Sequence, residues 1–321
     1  MKNILCLLSA CVMAMLCTVC VGEEMQMSIK PEEMVARTDL LYTAINKNYL
    51  NLAKLCIETG ADFNTNWYCY EWKRGSSEYV NALSYATAKN CIDIVELLVK
   101  SKADVNAKGS CGTTALCFAI WEGNGDIVDI LINAGADVNA KNTAGDTQLI
   151  SAIEYERKDM VELLVNAGAD VNAKNDKGET ALMYAVMHDY DGQYYEYSNT
   201  RKDMKNIVEL LINAGADVNA KNSWGNTALM YAMYKNSSKS VVKILIDAGA
   251  DVNAKDNNGT TALIHLVSSS IDKRVEDMLN LLLDAGADIN AKDNNGRTAL
   301  RQLSTWEETK IELLRAAGAT E

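Results

Sequence analysis

The sequence is short of proline, histidine and phenylalanine: it has one proline, two histidines and two phenylalanines in 321 residues. Such a composition, with aromatics at 7%, is unusual for a standard multidomain enzyme. His188 and His265 are the whole histidine supply, so a His-based catalytic triad or zinc site has almost nothing to draw on. Positive charge is also scarce. Thirty-one basic residues face 43 acidic ones, giving a net charge of -12. That balance argues against sequence-independent binding to DNA, RNA or anionic lipid and fits a basic or neutral protein partner. Beyond the N-terminal segment the cysteines are Cys56, Cys69, Cys91, Cys111 and Cys117, an odd set with no CxxC pair. This excludes an even disulfide framework and leaves a zinc knuckle unsupported, while one optional bridge stays open. No GxGxxG or Walker loop occurs, so no cofactor is expected.

What the chain does have begins at its N-terminus. Residues 2–22 read KNILCLLSACVMAMLCTVCVG, one Lys followed by an apolar run from Ile4 to Val21 and then Glu23 and Glu24. This is the layout of a secretory signal peptide cleaved before Glu23. An uncleaved anchor is a second reading, because the run is just long enough to cross a bilayer. LSAC at 8–11 resembles a bacterial lipoprotein box and gives a third. All three place the remainder outside the cytoplasm, periplasmic, secreted or membrane-anchored. Residues 23–38 then form a lead-in and 39–321 a repeat domain.

The repeat shows in NAGADVNAKN, which occupies 133–142 and recurs letter for letter at 166–175 and 213–222. The Ala residues of the GAD-like motifs, at 61, 103, 136, 169, 216, 250, 287 and 319, are separated by 42, 33, 33, 47, 34, 37 and 32. A base period of 33 is the signature of a solenoid, whose small units bury their apolar faces only by stacking. Residues 142–174 show the unit plainly. Gly145 supplies the freedom for a tight turn, and Thr147 caps the helix that follows. Leu149, Ile150, Ala152 and Ile153 stripe a first helix, and Met160, Val161, Leu163, Leu164 and Val165 a second. Gly168 ends it, and ADVNAKN runs on as an extended arm.

Turn, helix, helix and arm at this period resemble the ankyrin repeat, from about Asp39 to the end of the chain. GxTALxxA recurs in several units and GADVNAK in most. The resemblance implies an all-α repeat solenoid of about eight units including caps, acting as a protein–protein interaction module. The family's TPLH is replaced by Thr114–Cys117, Thr147–Ile150, Thr180–Met183, Thr227–Met230, Thr261–Ile264 and Thr298–Arg301, which lack both Pro and His. Loss of the His removes a polar tie between neighbouring turns. The first unit, 39–64, and the last, ending at Ala319, read as caps, with Lys310, Glu312 and Arg315 facing water.

Candidate chemistry is thin. Asp251 and Asn253 supply two calcium-loop ligands, but Lys255, Asp256 and Ala262 then stand where an acceptor, the Gly and the Glu belong. Asp288 fails likewise, so no metal site is assigned. Nothing identifies a nucleophile, and no catalytic residue is assigned. The informative residues differ between units at turn tips and first-helix ends, which the resemblance places along the binding groove: Trp121 and Glu122, Glu154 and Tyr155, Met187 and His188, Trp224, Tyr234 and Lys235. Tyr and Trp suit such surfaces, with coverage of neighbouring helices as the alternative role. Two insertions break the period. One, near 65–78, carries Tyr68, Tyr70 and Trp72 on one side if extended. The other, near 189–202, carries Tyr190, Tyr194, Tyr195 and Tyr197 among acids, a composition like that of adaptable recognition loops. The expected function is exported, non-catalytic binding of a partner protein. A membrane- or lipid-anchored envelope protein and an effector with an enzymatic activity not evident in the sequence are the alternatives.

Overall fold

The computed structural model describes residues 31–69, 78–189, 200–235, 237–268, 275–304 and 307–320, with side chains except at 31–33, 68, 69, 78 and 200–203. Two compact units divide at Asp137. The first contains α1 (Pro31–Asn46), α2 (Leu50–Glu58), the antiparallel ribbon β1 (Trp67–Cys69) and β2 (Glu78–Val80), α3 (Ala82–Ala88), α4 (Ile92–Lys100), α5 (Ala115–Glu122) and α6 (Gly125–Asn133). In the second are α7 (Gln148–Glu154), α8 (Lys158–Asn166), α9 (Ala181–His188), α10 (Thr200–Asn213), α11 (Ala228–Lys235), α12 (Lys239–Asp247), α13 (Ala262–Ser268), α14 (Val275–Asp284), α15 (Ala299–Gln302) and α16 (Glu308–Ala316). These helices pair into eight helix–turn–helix repeats. Within each unit, first helices pack on first helices and second on second. The first helix reaches back to Pro31, ahead of Asp39, with the chain's one proline opening it, where a missing N–H is harmless.

Local chemistry sets each repeat. Thr147 Oγ1 accepts from the Ile150 N–H at 3.2 Å, and equivalent caps follow Thr180, Thr261 and Thr298. The first helices present Leu83, Leu116, Leu149, Leu182, Leu229, Leu263 and Leu300, all buried. The second helices add a narrow stripe such as Ile127, Val128 and Leu131, or Val241, Val242 and Leu245, also buried. A buried side chain of this kind contributes about 1.5–3 kcal/mol, so stacking, not helix propensity, holds seven- to nine-residue helices. Gly168 closes α8 with φ +85.

The arm is more folded than the sequence suggests. Asp170 Oδ1 accepts from the Asn172 N–H at 2.9 Å and the Asp170 carbonyl from Ala173, so ADVNA is itself a turn. A second turn follows at Asn175–Gly178. The Asn of each arm then reaches into the next repeat. Asn172 Nδ2 donates to the Gly215 carbonyl at 3.0 Å while its Oδ1 accepts from Asp217 N–H at 2.7 Å. Asn219 does the same to Gly249 and Asp251, and Asn253 to Gly286 and Asp288. In the first unit Asn106 bridges to Gly135 and Asp137. A parallel series runs through Lys174, Lys221 and Lys255, each ammonium donating to the carbonyl of the next lysine in the series at 2.8–2.9 Å.

The caps differ from expectation at one position. Lys310 is 2% exposed rather than solvated. Its ammonium donates to the Val267 carbonyl at 3.1 Å and pairs with Glu307 at 3.0 Å. The last turn of α13 leaves carbonyls without helical partners, and a cation there complements the helix dipole.

Two substitutions test these contacts, with the outcomes expected below. Asn219→Ala removes both bridging bonds and lowers the unfolding free energy by about 1–2 kcal/mol in urea titration. Lys102, with φ +64, stands where other repeats have Gly. Lys102→Gly relieves a left-handed side chain and raises stability by about 1 kcal/mol in the same assay.

Candidate functional site

In the first unit, the ribbon lies inside the long step of the repeat. Trp67 anchors it: its ring stacks on Tyr42 with centroids 5.1 Å apart, and the Tyr42 hydroxyl donates to the Val80 carbonyl at 3.1 Å. Val80 is buried beside Phe118. Cross-strand register pairs Trp67 with Val80 and Tyr68 with Tyr79. Neighbouring positions along a strand alternate between faces, so Tyr79 belongs to the face away from that anchor. Tyr79 is 51% exposed. Trp67 and Tyr79 are legible in the sequence only through period-2 alternation counted from Val80. Tyr70 and Trp72 lie outside the described residues.

Trp121 at the end of α5 is half-buried and meets Phe118 edge-on at 5.1 Å, so part of its surface covers the core. In the second unit Tyr155 is half-buried, while His188 is exposed with its ring 6.4 Å from that of Tyr184. Trp224, at a turn tip, is 51% exposed, and Tyr234 on α11 is 61% exposed with the Lys235 ammonium 5.4 Å from its ring centre. The tip carrying Trp224 is fixed from both sides. Ser223 N–H donates to the Lys177 carbonyl and the Trp224 carbonyl accepts from Asn257 N–H, both at 2.9 Å. Gly225 permits this approach: it has φ +82, and a Cβ there would meet Asn257 N at 2.7 Å.

The insertion after α9 starts from a buried post. Asp189, 1% exposed, accepts from both the N–H and the hydroxyl of Ser238 at 2.8 Å, and Ser238 itself caps α12. Asp189, the first acid of the insertion, is thus a structural anchor. Tyr190, Tyr194, Tyr195 and Tyr197 lie outside the described residues.

A polar lattice between first helices and turns was not anticipated. Asn175 Nδ2 donates to Asp146 at 2.9 Å and to Glu179 at 3.2 Å, and the Tyr231 hydroxyl donates to Glu179 at 3.0 Å. The Tyr184 hydroxyl sits 3.4 Å from Asp146. Burial, then the Asp146 and Glu179 carboxylates, push the Tyr184 phenol well up; burial and Glu179 do the same for Tyr231. The recurring ALMYA at 181–185 and 228–232 was the available signal. Among the described residues no three His, Cys, Asp or Glu side chains converge as metal ligands would.

The next member of this column is His265, whose Nε2 lies 3.4 Å from Asp256. Burial lowers its pKa below the usual 6.5, against the opposing pull of Asp256. The unfolded chain therefore takes up a proton that the folded one resists. Stability is complete above about pH 6.5 and falls as the pH drops below it. Urea midpoints between pH 7.5 and 5.5 should decline more in the wild type than in His265→Gln.

A family profile described as "Ankyrin repeats (3 copies)" matches residues 40–142, 116–195 and 198–293; the second and third matches part within the Tyr-rich insertion. No curated protein matches the chain. Among solved structures, the ankyrin repeat domain of Bcl-3, titled a unique member of the IkappaB protein family, superposes with a TM-score of 0.60 at 26% identity. It covers 75% of this chain and 97% of that one. With stacked helix pairs, capped turns and a family match over most of its length, the chain belongs to the ankyrin repeat family.

Proposed function

We propose that this chain is an exported, non-catalytic module that holds a partner protein of basic character on the first-helix and turn-tip side of its second unit, aided by the Tyr-rich insertion of that unit. Ankyrin repeats generally mediate protein–protein interaction. The observation that carries the reading is the exposure of Trp224 and Tyr234, 51% and 61%, on a framework whose recurrent letters are engaged in turns, caps and inter-repeat bonds. A rigid aromatic held on a fixed turn loses little entropy on binding, which is why such residues dominate interface energetics. The acid excess supports a basic partner and rapid, salt-sensitive association. Export rests on the apolar run and small residues of 2–22. The same segment supports a second reading, retention at a membrane through an uncleaved or lipidated N-terminus.

The test is affinity capture from the native source with three baits: wild type, a deletion of 191–199 that keeps Asp189 and α10, and Trp224→Ala/Tyr234→Ala. Loss of a wild-type partner from either altered bait, with about 30-fold weaker affinity for the double variant, is expected. An identical partner list on all three baits, or none on any, contradicts the reading.

A further inference from the structure

We propose that Tyr184, His188, Asp146 and Glu154 form a subsite for one arginine side chain of the partner protein. The inference rests on the reading that this side of the second unit binds a protein, and it names what the partner presents there.

The ring pair comes first. Tyr184 and His188, one turn apart on α9, stack with an interplanar angle of 16°, and His188 is exposed. A planar guanidinium lies against such rings better than an ammonium, because it is weakly hydrated and can stack. One carboxylate, that of Asp146, stands beside the tyrosine hydroxyl at 3.4 Å. Asp146 uses Oδ1 for Asn175 and Tyr184, whereas its Oδ2 meets only the Asn142 amide at 3.5 Å, beyond a good hydrogen bond. Oδ2 therefore keeps acceptor capacity. Glu154 is exposed at the end of α7 and acts electrostatically on the Tyr184 phenol, as Asp146 and Glu179 do. Three carboxylates thus bear on one aromatic position, and the tyrosine hydroxyl donates to Asp146 while accepting from the Asn175 amide at 3.3 Å. A guanidinium offers five donors in a fixed fork, enough to meet Asp146 Oδ2 and Glu154 while its face covers the ring. A neutral or acidic side chain placed here would gain none of this.

Titration calorimetry on the full chain provides the test, with acetylated hexa-arginine as the probe and hexa-citrulline as its uncharged near-isostere. Hexa-citrulline should bind at least tenfold more weakly. Glu154→Gln should weaken hexa-arginine binding about fivefold with an unchanged melting temperature. Glu276→Gln makes the same charge change on α14 and should stay within twofold. Absence of hexa-arginine binding, equal affinity for the two peptides, or equal losses in the two variants overturns the subsite. Hexa-lysine binding as tightly as hexa-arginine overturns the assignment to arginine. Partner capture that succeeds alongside such a failure leaves the binding reading standing without this subsite.

Discussion

One carboxamide per repeat, bonded to the backbone of the next repeat, is the constraint on which the rest of the structure depends. Asn172, Asn219 and Asn253 each present an acceptor to an Asp N–H and a donor to a Gly carbonyl of the following arm. The amide is planar and both bonds are made at once, so it fixes spacing and register together. The Asp preceding it turns the chain so that the Asn points across, and the Gly of the next motif ends a helix in a left-handed conformation. GADVN thus works as a coupler whose two halves lie in consecutive repeats.

Coupling at this position has consequences for the other side of the array. Helices of seven to nine residues are too short to persist alone and depend on the apolar stack that the arms hold in register. Thr caps and turn glycines are fixed by the same geometry. The positions left to vary are the turn tips and first-helix ends, where Trp224, His188 and Tyr234 emerge. The 42- and 47-residue steps are tolerated because each extra stretch leaves from an anchored point, Trp67 on Tyr42 in one case and Asp189 on Ser238 in the other. Extra chain hung between fixed ends adds only a slowly growing closure entropy.

Much of this was legible in the sequence because it is local. Caps, turn glycines, helix stripes and the period follow from contacts within a few residues, and Thr147, Gly145 and Gly168 behave as read. The partners of Asn172 and Asn219 were not legible, since they lie 43 and 30 residues away along the chain. Lys310 was misread for the same reason: composition places a lysine in water, whereas a helix end some 43 residues earlier provides it with a carbonyl. Tyr184 and Tyr231 stand within the recurring ALMYA of the first helices, and only folding brings the Asp146 and Glu179 carboxylates to their hydroxyls. The tyrosines of the insertions were found by counting, which locates extra chain but does not orient it.

The central claim, that the arm asparagines couple successive repeats, is tested most directly by amide hydrogen exchange at the Asp residues they engage. The N–H groups of Asp217, Asp251 and Asp288 lie in exposed arms and donate to no helix or strand carbonyl; each donates instead to an asparagine Oδ1 at 2.7 Å. Residue-resolved exchange should show them protected well above other exposed turn amides, with protection at Asp251 lost in Asn219→Ala. Exchange at the rate of open turns, or protection unchanged by that substitution, would contradict the account.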